Sequence, residues 1–181
     1  MFKRFKDWLL EVTGQQYDYG CIVLYGKCKE FNSIQASLDV NDVNTFEDDY
    51  HLTVLYGIKP GVPTSKVVEL IESYNFLGKS MWCKQLDIFK NEGQDDVVKL
   101  SIEDDPSLIE FRNHLMANLD NEQTHEGYNP HITVAYVKEG MGEKYIHSFE
   151  EPVEFVPNRI VYSEPSRGDE HIITSIPIMW S

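Results

Sequence analysis

The chain has 181 residues, and 16 Lys plus Arg against 30 Asp plus Glu give it a formal net charge of −14. A composition that is 41% hydrophobic and 12% aromatic predicts a globular domain and excludes a disordered acidic segment. The negative charge argues against a binder of long nucleic acids, because such binding depends mostly on Lys and Arg. Small nucleotides remain compatible, since they need only a local pocket of hydrogen-bond donors.

Cysteine usage and hydropathy indicate the compartment. The three cysteines are odd in number and have no C-x-x-C spacing, which argues against both a disulfide framework and a zinc site. The N-terminal apolar stretch is too short for a signal peptide, and no apolar run approaches the roughly 20 residues of a membrane helix. We therefore expect a cytoplasmic protein with no membrane partner.

The first elements in chain order are an amphipathic helix and a strand. Residues 2–12 place apolar side chains on one side and charged ones on the other, so we treat 1–14 as an N-terminal helical extension. This helix either packs on its own domain or serves as a docking segment. Residues 21–25 are predicted to form a buried strand, and a polar loop is predicted over 32–49.

The middle of the chain predicts two helices around a hairpin. Helical spacing of apolar residues begins after Pro63 and predicts a helix over 65–77. Alternating strands are predicted over 82–89 and 96–102, with turn residues between them. A second helix begins at Pro106, for which Asp105 is the expected N-cap.

The remaining predictions are a short helix over 143–149 and strands over 159–162 and 171–176, the last restricted to an edge or an end by Pro177. No linker-like composition divides the chain, so we expect one domain over 1–181. The order of strands and helices is that of an α+β fold in which roughly the same unit occurs twice.

Two short segments sharpen this duplication. Residues 51–56 read HLTVLY and residues 131–136 read HITVAY, so that four of six positions are identical. From the residue usage of this chain, a second H-x-T-V-x-Y arises by chance with a probability on the order of one in a thousand. The repeat is therefore a feature to be explained.

Strand geometry indicates what the repeat presents. Side chains alternate along a strand, so each histidine shares a face with its threonine while the apolar residues anchor the other face. One neutral imidazole can remove a proton while one imidazolium supplies another, and the hydroxyls can donate hydrogen bonds to phosphate oxygens. This is a minimal set for phosphoryl transfer without a metal or other cofactor, and its candidate catalytic residues are His51, Thr53, His131 and Thr133.

With these motifs, the sequence resembles the two-histidine (2H) phosphoesterase superfamily, whose signature is a pair of H-x-[ST] motifs. The separation of 80 residues between His51 and His131 is compatible with that group. The resemblance implies two pseudosymmetric lobes with antiparallel sheets flanked by helices. It also implies an active-site cleft with one motif on each wall.

Within that superfamily the chain looks most like the phage anti-CBASS nucleases, which open cyclic nucleotide immune signals. The features shared with them are the H-x-T-V-x-Y form, the aromatic-rich residues 17–20, the acidic charge and the penultimate Trp180. This resemblance implies hydrolysis of 3′-5′ linkages in cyclic di- or trinucleotides, in the host cytoplasm if the chain is phage-encoded. It also implies that Tyr19 and Trp180 stack on nucleobases, as aromatic rings do well.

Several alternatives stay open at this stage. The other histidines form no H-x-x-x-H or H-E-x-x-H spacing, so we predict no metal site. The substrate could instead be a linear 2′-5′ oligoadenylate or a terminal 2′,3′-cyclic phosphate, or the protein could bind a nucleotide without turnover. The two motifs are too alike to tell which histidine acts as the base.

Overall fold

Eight strands and three α-helices make up the part of the chain that the computed structural model describes, residues 18–48, 50–122, 127–165 and 173–178. The strands are β1 Gly20–Cys28, β2 Val43–Phe46, β3 His51–Ile58, β4 Met81–Phe89, β5 Asp96–Ile102, β6 His131–Val137, β7 His147–Ser163 and β8 Ile173–Pro177. The helices are α1 Phe31–Ala36, α2 Thr64–Tyr74 and α3 Pro106–Asn118, and a 3₁₀ turn covers Gly142–Tyr145. The predicted extension over 1–14 lies outside the described residues.

The strands form one antiparallel sheet that closes on itself. Its order is β1-β3-β6-β5-β4-β7-β8, with β2 paired to β6, and β7 also pairs with β1. Closure is possible because β7 has 17 residues, of which the first part pairs with β4 and the second with β1. The α+β class with antiparallel strands is confirmed. The two halves of the sheet meet where β3 pairs with β6.

Local sequence explains where the two longer helices begin and end. The carboxylate of Asp105 accepts hydrogen bonds from the amides of Ser107 and Leu108, which caps α3 as predicted. The helix α2 ends earlier than predicted, because Asn75 takes a left-handed conformation with φ of 53°. None of the described helices is long and apolar enough to cross a bilayer.

Two predictions of local structure are wrong. The segment predicted as a loop over 32–49 contains α1 and β2, because Phe31 and Ile34 are spaced to bury one helical face and Val43–Phe46 pairs with β6. The helix predicted over 143–149 is a single 3₁₀ turn followed by β7. Here the pairing of His147 and Ser148 with β4 outweighs the weak helical spacing.

Candidate active site

The two motifs lie on adjacent antiparallel strands. Leu52 of β3 pairs with Ile132 of β6, so the flanking positions place one histidine beside the threonine of the other motif on each side. The four motif side chains therefore share one face of the sheet, in two crossed His-Thr pairs. Diagonal Cβ atoms in such an arrangement are roughly 7–8 Å apart, a separation that a phosphate group can bridge.

The opposite face of both motifs is anchored in the core. The second and fourth residues of each motif are fully buried apolar side chains, namely Leu52, Val54, Ile132 and Val134. Polar residues of the first face are also shielded from solvent, since His51 is 5% and Thr133 is 8% exposed. The site is thus held by packing on one side, and part of its polar face is shielded from water, which strengthens electrostatic interactions there.

A β-bulge occurs at the same residue of both motifs. In β3, Thr53 pairs with Val23 and Leu55 with Ile22, and in β6, Thr133 pairs with Lys99 and Ala135 with Val98. The valine at the fourth position is the extra residue each time, which returns the sixth position to the face of the histidine and threonine. The repeated tyrosine therefore belongs to the polar face.

The bulges bring a partner to each threonine hydroxyl. The phenol of Tyr136 shares a hydrogen bond with the side chain of Thr133, and the thiol of Cys21 shares one with Thr53. Burial raises the pKa of the Cys21 thiol to about 12, with the hydrogen bond to Thr53 acting in the opposite direction, so the thiol stays protonated. Sequence reasoning missed both partners, although the repeat of tyrosine at the sixth position was a signal for Tyr136.

The tautomer of His131 follows from its neighbour. Its Nδ1 lies 2.7 Å from the carbonyl oxygen of Asn129, which can only accept, so Nδ1 carries the hydrogen and the lone pair is on Nε2. Burial lowers the pKa of His131 to about 4, and the positive charge of Lys99 and the His51 ring act in the same direction. Without substrate, His131 is neutral at physiological pH.

One aromatic ring packs against each histidine, and a cation lies over each of these two aromatic rings. The ring of Tyr25 is 5.6 Å from that of His51, and the guanidinium of Arg159 lies 4.7 Å from the Tyr25 centroid. The ring of Phe89 meets His131 edge-on at 4.8 Å, and the ammonium of Lys99 lies 4.5 Å from the Phe89 centroid. Each half of the site thus contains a cation-aromatic-histidine series.

Lys99 is a site residue that sequence reasoning did not identify. It is 1% exposed, and its Nζ donates to the Asp87 carboxylate at 3.0 Å and to the Ser101 hydroxyl at 2.8 Å. In the sheet, Lys99 pairs with Thr133 and Ser101 with His131. The available signal was a single lysine flanked by apolar residues within the strand DVVKLSI.

The structure does not bring Tyr19 into the group of four motif residues. Tyr19 precedes Gly20, which pairs with Ile58 at the other end of β3 from His51, about 20 Å along the strand. Its hydroxyl donates to Glu122 at 2.9 Å, and its ring meets Tyr56 edge-on at 6.0 Å. Tyr56 shares the polar face, so base stacking by Tyr19 stays a prediction for a more distant part of the substrate. Trp180 lies outside the described residues.

The described residues contain no group of three or more His, Cys, Asp or Glu side chains that could hold a metal ion. His114 packs against Tyr74, with 5.0 Å between ring centroids, and His147 interacts through Nδ1 with the carbonyl of Tyr145 at 2.9 Å. Both contacts are within the scaffold.

Comparison with solved structures identifies the fold. TT0787 of Thermus thermophilus has a TM-score of 0.64 at 14% identity, and the match covers 90% of this chain and 99% of that one. Usb1 of Kluyveromyces marxianus has a TM-score of 0.58 at 9% identity, covering 89% and 98%. E. coli LigT complexed with phosphate has a TM-score of 0.51 at 14% identity, covering 91% and 99%. The predicted 2H phosphoesterase fold is confirmed, and at these identities the likeness concerns the fold alone.

Sequence comparison identifies the family. No curated protein matches this chain. The family model described as "Anti-CBASS protein Acb1" matches residues 22–164, which include both histidine motifs and most of the chain. The chain therefore belongs to the Acb1 family of anti-CBASS proteins.

Proposed function

We propose that this protein is a metal-independent phosphodiesterase that opens cyclic di- or trinucleotides at a 3′-5′ linkage. Membership of an anti-CBASS family and the 2H phosphoesterase fold support phosphodiesterase-type activity. The observation that carries the proposal is the pairing of Leu52 with Ile132, which gives both H-x-T motifs one common face. The net charge of −14 favours a small substrate over long RNA.

The reaction is an internal transfer followed by hydrolysis. Nε2 of His131 accepts the proton of a ribose 2′-hydroxyl, whose oxygen attacks the adjacent phosphorus. The bond from phosphorus to the 5′-oxygen breaks, and His51 protonates that oxygen as it leaves. The product is a linear nucleotide with a 2′,3′-cyclic phosphate, which water can open to a 3′-phosphate with the proton transfers reversed.

His131 is assigned as the base because of its surroundings. The Nδ1–H bond to the Asn129 carbonyl fixes the ring with its lone pair on Nε2, and the buried ammonium of Lys99 on the neighbouring strand opposes protonation of the imidazole. A base of such low pKa is weak on its own. A bound phosphate adds a negative charge beside the ring, which raises the pKa of His131 towards neutrality when substrate is present.

The threonines stabilise the charge that develops on phosphorus. Each hydroxyl can donate to a non-bridging oxygen, which carries more negative charge in the transition state than in the substrate. Tyr136 and Cys21 hold Thr133 and Thr53 respectively through side-chain hydrogen bonds. Structures of E. coli LigT with phosphate, 3′-AMP and ATP support the view that a protein of this fold accommodates such groups.

The test is incubation of the purified protein with a panel of cyclic and linear nucleotides, followed by mass spectrometry. We expect a cyclic substrate either to gain the mass of water or to give a linear 2′,3′-cyclic phosphate, which has the same mass and is separated from the substrate by chromatography, with no loss of rate in EDTA. A substrate without the 2′-hydroxyl should resist cleavage, and its equal hydrolysis would exclude internal attack. Loss of activity in EDTA that a divalent metal restores would contradict the metal-free mechanism.

The same panel separates the alternatives. Exclusive cleavage of a linear 2′-5′ oligoadenylate, or of a terminal 2′,3′-cyclic phosphate, would mean that the substrate belongs to a different class, while the two-histidine mechanism would still apply. Tight binding with every nucleotide recovered unchanged would indicate sequestration instead.

A further inference from the structure

Lys99 differs from the other lysines in described ion pairs. Its side chain is 1% exposed, whereas the other five are at least 43% exposed: Lys59, Lys79, Lys84, Lys90 and Lys144. Removing an ammonium from water is costly, and an apolar residue of similar volume at a buried position is often at least as stabilising. Folding alone therefore gives no reason for a lysine here.

The Asp87–Lys99 ion pair has its positive end towards the second H-x-T motif. Asp87 lies on β4, Lys99 on β5 and the second H-x-T motif on β6, in that order across the sheet. Asp87 is 31% exposed, so solvent partly screens its negative charge, whereas Lys99 is 1% exposed. The positive end of the pair is the end next to Thr133 and His131.

The ammonium also has unused donor capacity. An ammonium group has three N–H donors. In the part of the chain that the structure describes, Lys99 makes two hydrogen bonds, to Asp87 and Ser101, and lies over the Phe89 ring. Both Ser101 and Phe89 adjoin His131, through strand pairing and ring contact respectively. The third N–H is thus close to the four motif side chains.

We propose that Lys99 is a phosphate-binding residue of the active site, which donates its third N–H to a non-bridging oxygen of the phosphodiester held between His51 and His131. This inference rests on the proposed function and adds a fifth group to the four motif residues. Asp87 and Ser101 act as positioning residues, because they hold the ammonium in place without touching the substrate. Because the Lys99 side chain is only 1% exposed, its attraction to a phosphate is less screened than that of a surface lysine.

The test compares Lys99→Met with Lys90→Met, which removes a lysine that is 63% exposed and paired with Glu143. We expect Lys99→Met to lower kcat/KM by about 10²-fold or more, as the loss of one preorganised donor to an oxyanion does, and Lys90→Met to have no effect. Lys99→Arg keeps the charge and should recover part of the rate. Thermal unfolding of each variant shows whether it still folds. If Lys99→Met alone does not fold, the double variant Asp87→Asn/Lys99→Met is measured instead, because it leaves no unpaired carboxylate.

A phosphorothioate substrate gives a readout that a structural role would not move. Sulfur at the oxygen that Lys99 contacts should slow the wild-type enzyme for one diastereomer, and this difference between diastereomers should shrink in Lys99→Met. An undiminished difference between the diastereomers in folded Lys99→Met, or a rate of this variant within threefold of wild type, would overturn the proposal.

A titration with inorganic phosphate, followed through the NMR signals of His131, tests the site without turnover. If the wild type cleaves no nucleotide but Lys99→Met binds phosphate at least tenfold more weakly than the wild type, the proposed function is wrong and the phosphate site is supported. If Lys99→Met binds phosphate as the wild type does, the phosphate site is rejected.

Discussion

The two histidine neighbourhoods share a plan and differ in where the positive charge lies. At His51 the series runs through Tyr25 to Arg159, which is exposed to solvent. At His131 it runs through Phe89 to Lys99, which is buried. An exposed guanidinium is screened by water and salt, whereas a buried ammonium acts on its neighbours through a lower effective dielectric.

This difference teaches how one duplicated motif can supply two roles. The motifs are identical at four of six positions, and both carry the bulge at valine. What separates them in the described residues is contributed by a neighbouring strand, namely the buried cation Lys99 of β5 on the side of His131. We therefore expect His131 to be the neutral base, because a buried positive charge lies near it, and His51 to be the acid.

The largest expected effect is the loss of either histidine. His51→Ala and His131→Ala should each lower kcat by about 10³-fold or more, because each removes one proton transfer. The two variants should then differ with a nucleoside 3′-(4-nitrophenyl phosphate), whose leaving group needs no proton. His51→Ala should regain most of its rate on that substrate and His131→Ala should not, as measured by release of nitrophenolate.

If His131→Ala regained its rate on the nitrophenyl substrate and His51→Ala did not, His51 would be the base and His131 the acid. Full turnover by both variants on the cyclic substrate would remove the mechanism altogether. The control is His114→Ala, because His114 lies on α3, packed against Tyr74 and outside the four motif side chains. That variant should cleave the cyclic substrate as the wild type does.

A smaller effect is expected for the threonines. Thr53→Val and Thr133→Val should each lower kcat by about 10- to 10²-fold with little change in KM, because the lost hydrogen bond is stronger in the transition state. Tyr136→Phe should reproduce part of the Thr133→Val effect, since its phenol positions that hydroxyl. Single-turnover rates measure this, and a change in KM alone would indicate ordinary ground-state binding.

The pH dependence tests the difference in charge directly. Burial, Lys99 and the His51 ring all lower the pKa of His131, to about 4, while Asp87 is the carboxylate paired with Lys99. The acid limb of kcat/KM, which reports the free enzyme, should therefore fall only below about pH 4, and that of kcat at a higher pH because the bound phosphate raises the pKa. An acid limb of kcat/KM near the ordinary histidine pKa would contradict a base that stays neutral down to about pH 4.

The same pKa has a consequence for stability. The unfolded chain binds a proton at His131 as pH falls below the ordinary histidine range, while the folded chain does so only near pH 4. The unfolded state thus binds more protons between these values, so the free energy of unfolding should decrease as pH falls through this window. His131→Gln should remove this part of the dependence, as urea unfolding at several pH values would measure.

Sequence alone could predict what is encoded by local periodicity and repetition. The helix after Asp105, the hairpin of β4 and β5 and the four motif side chains all follow from short-range patterns. Lys99 and Phe89 could not be placed beside His131, because that contact depends on the register of β4, β5 and β6. The long β7 is predicted only in part, over 159–162, because the pairing of its first part with β4 depends on strand register and not on local spacing.

The smallest expected effect is at Arg159. Arg159→Gln should raise KM by about two- to fivefold at low salt with little change in kcat, because an exposed charge attracts a phosphate weakly and at long range. The effect should disappear at high ionic strength, whereas that of Lys99→Met should persist, since a buried charge is screened much less. Arg159→Lys keeps the charge and should behave as the wild type if stacking on Tyr25 is unimportant. A loss of kcat in Arg159→Gln as large as that in Lys99→Met would mean that the two halves of the site bind phosphate equally, and the distinction between a buried and an exposed cation would have no functional meaning.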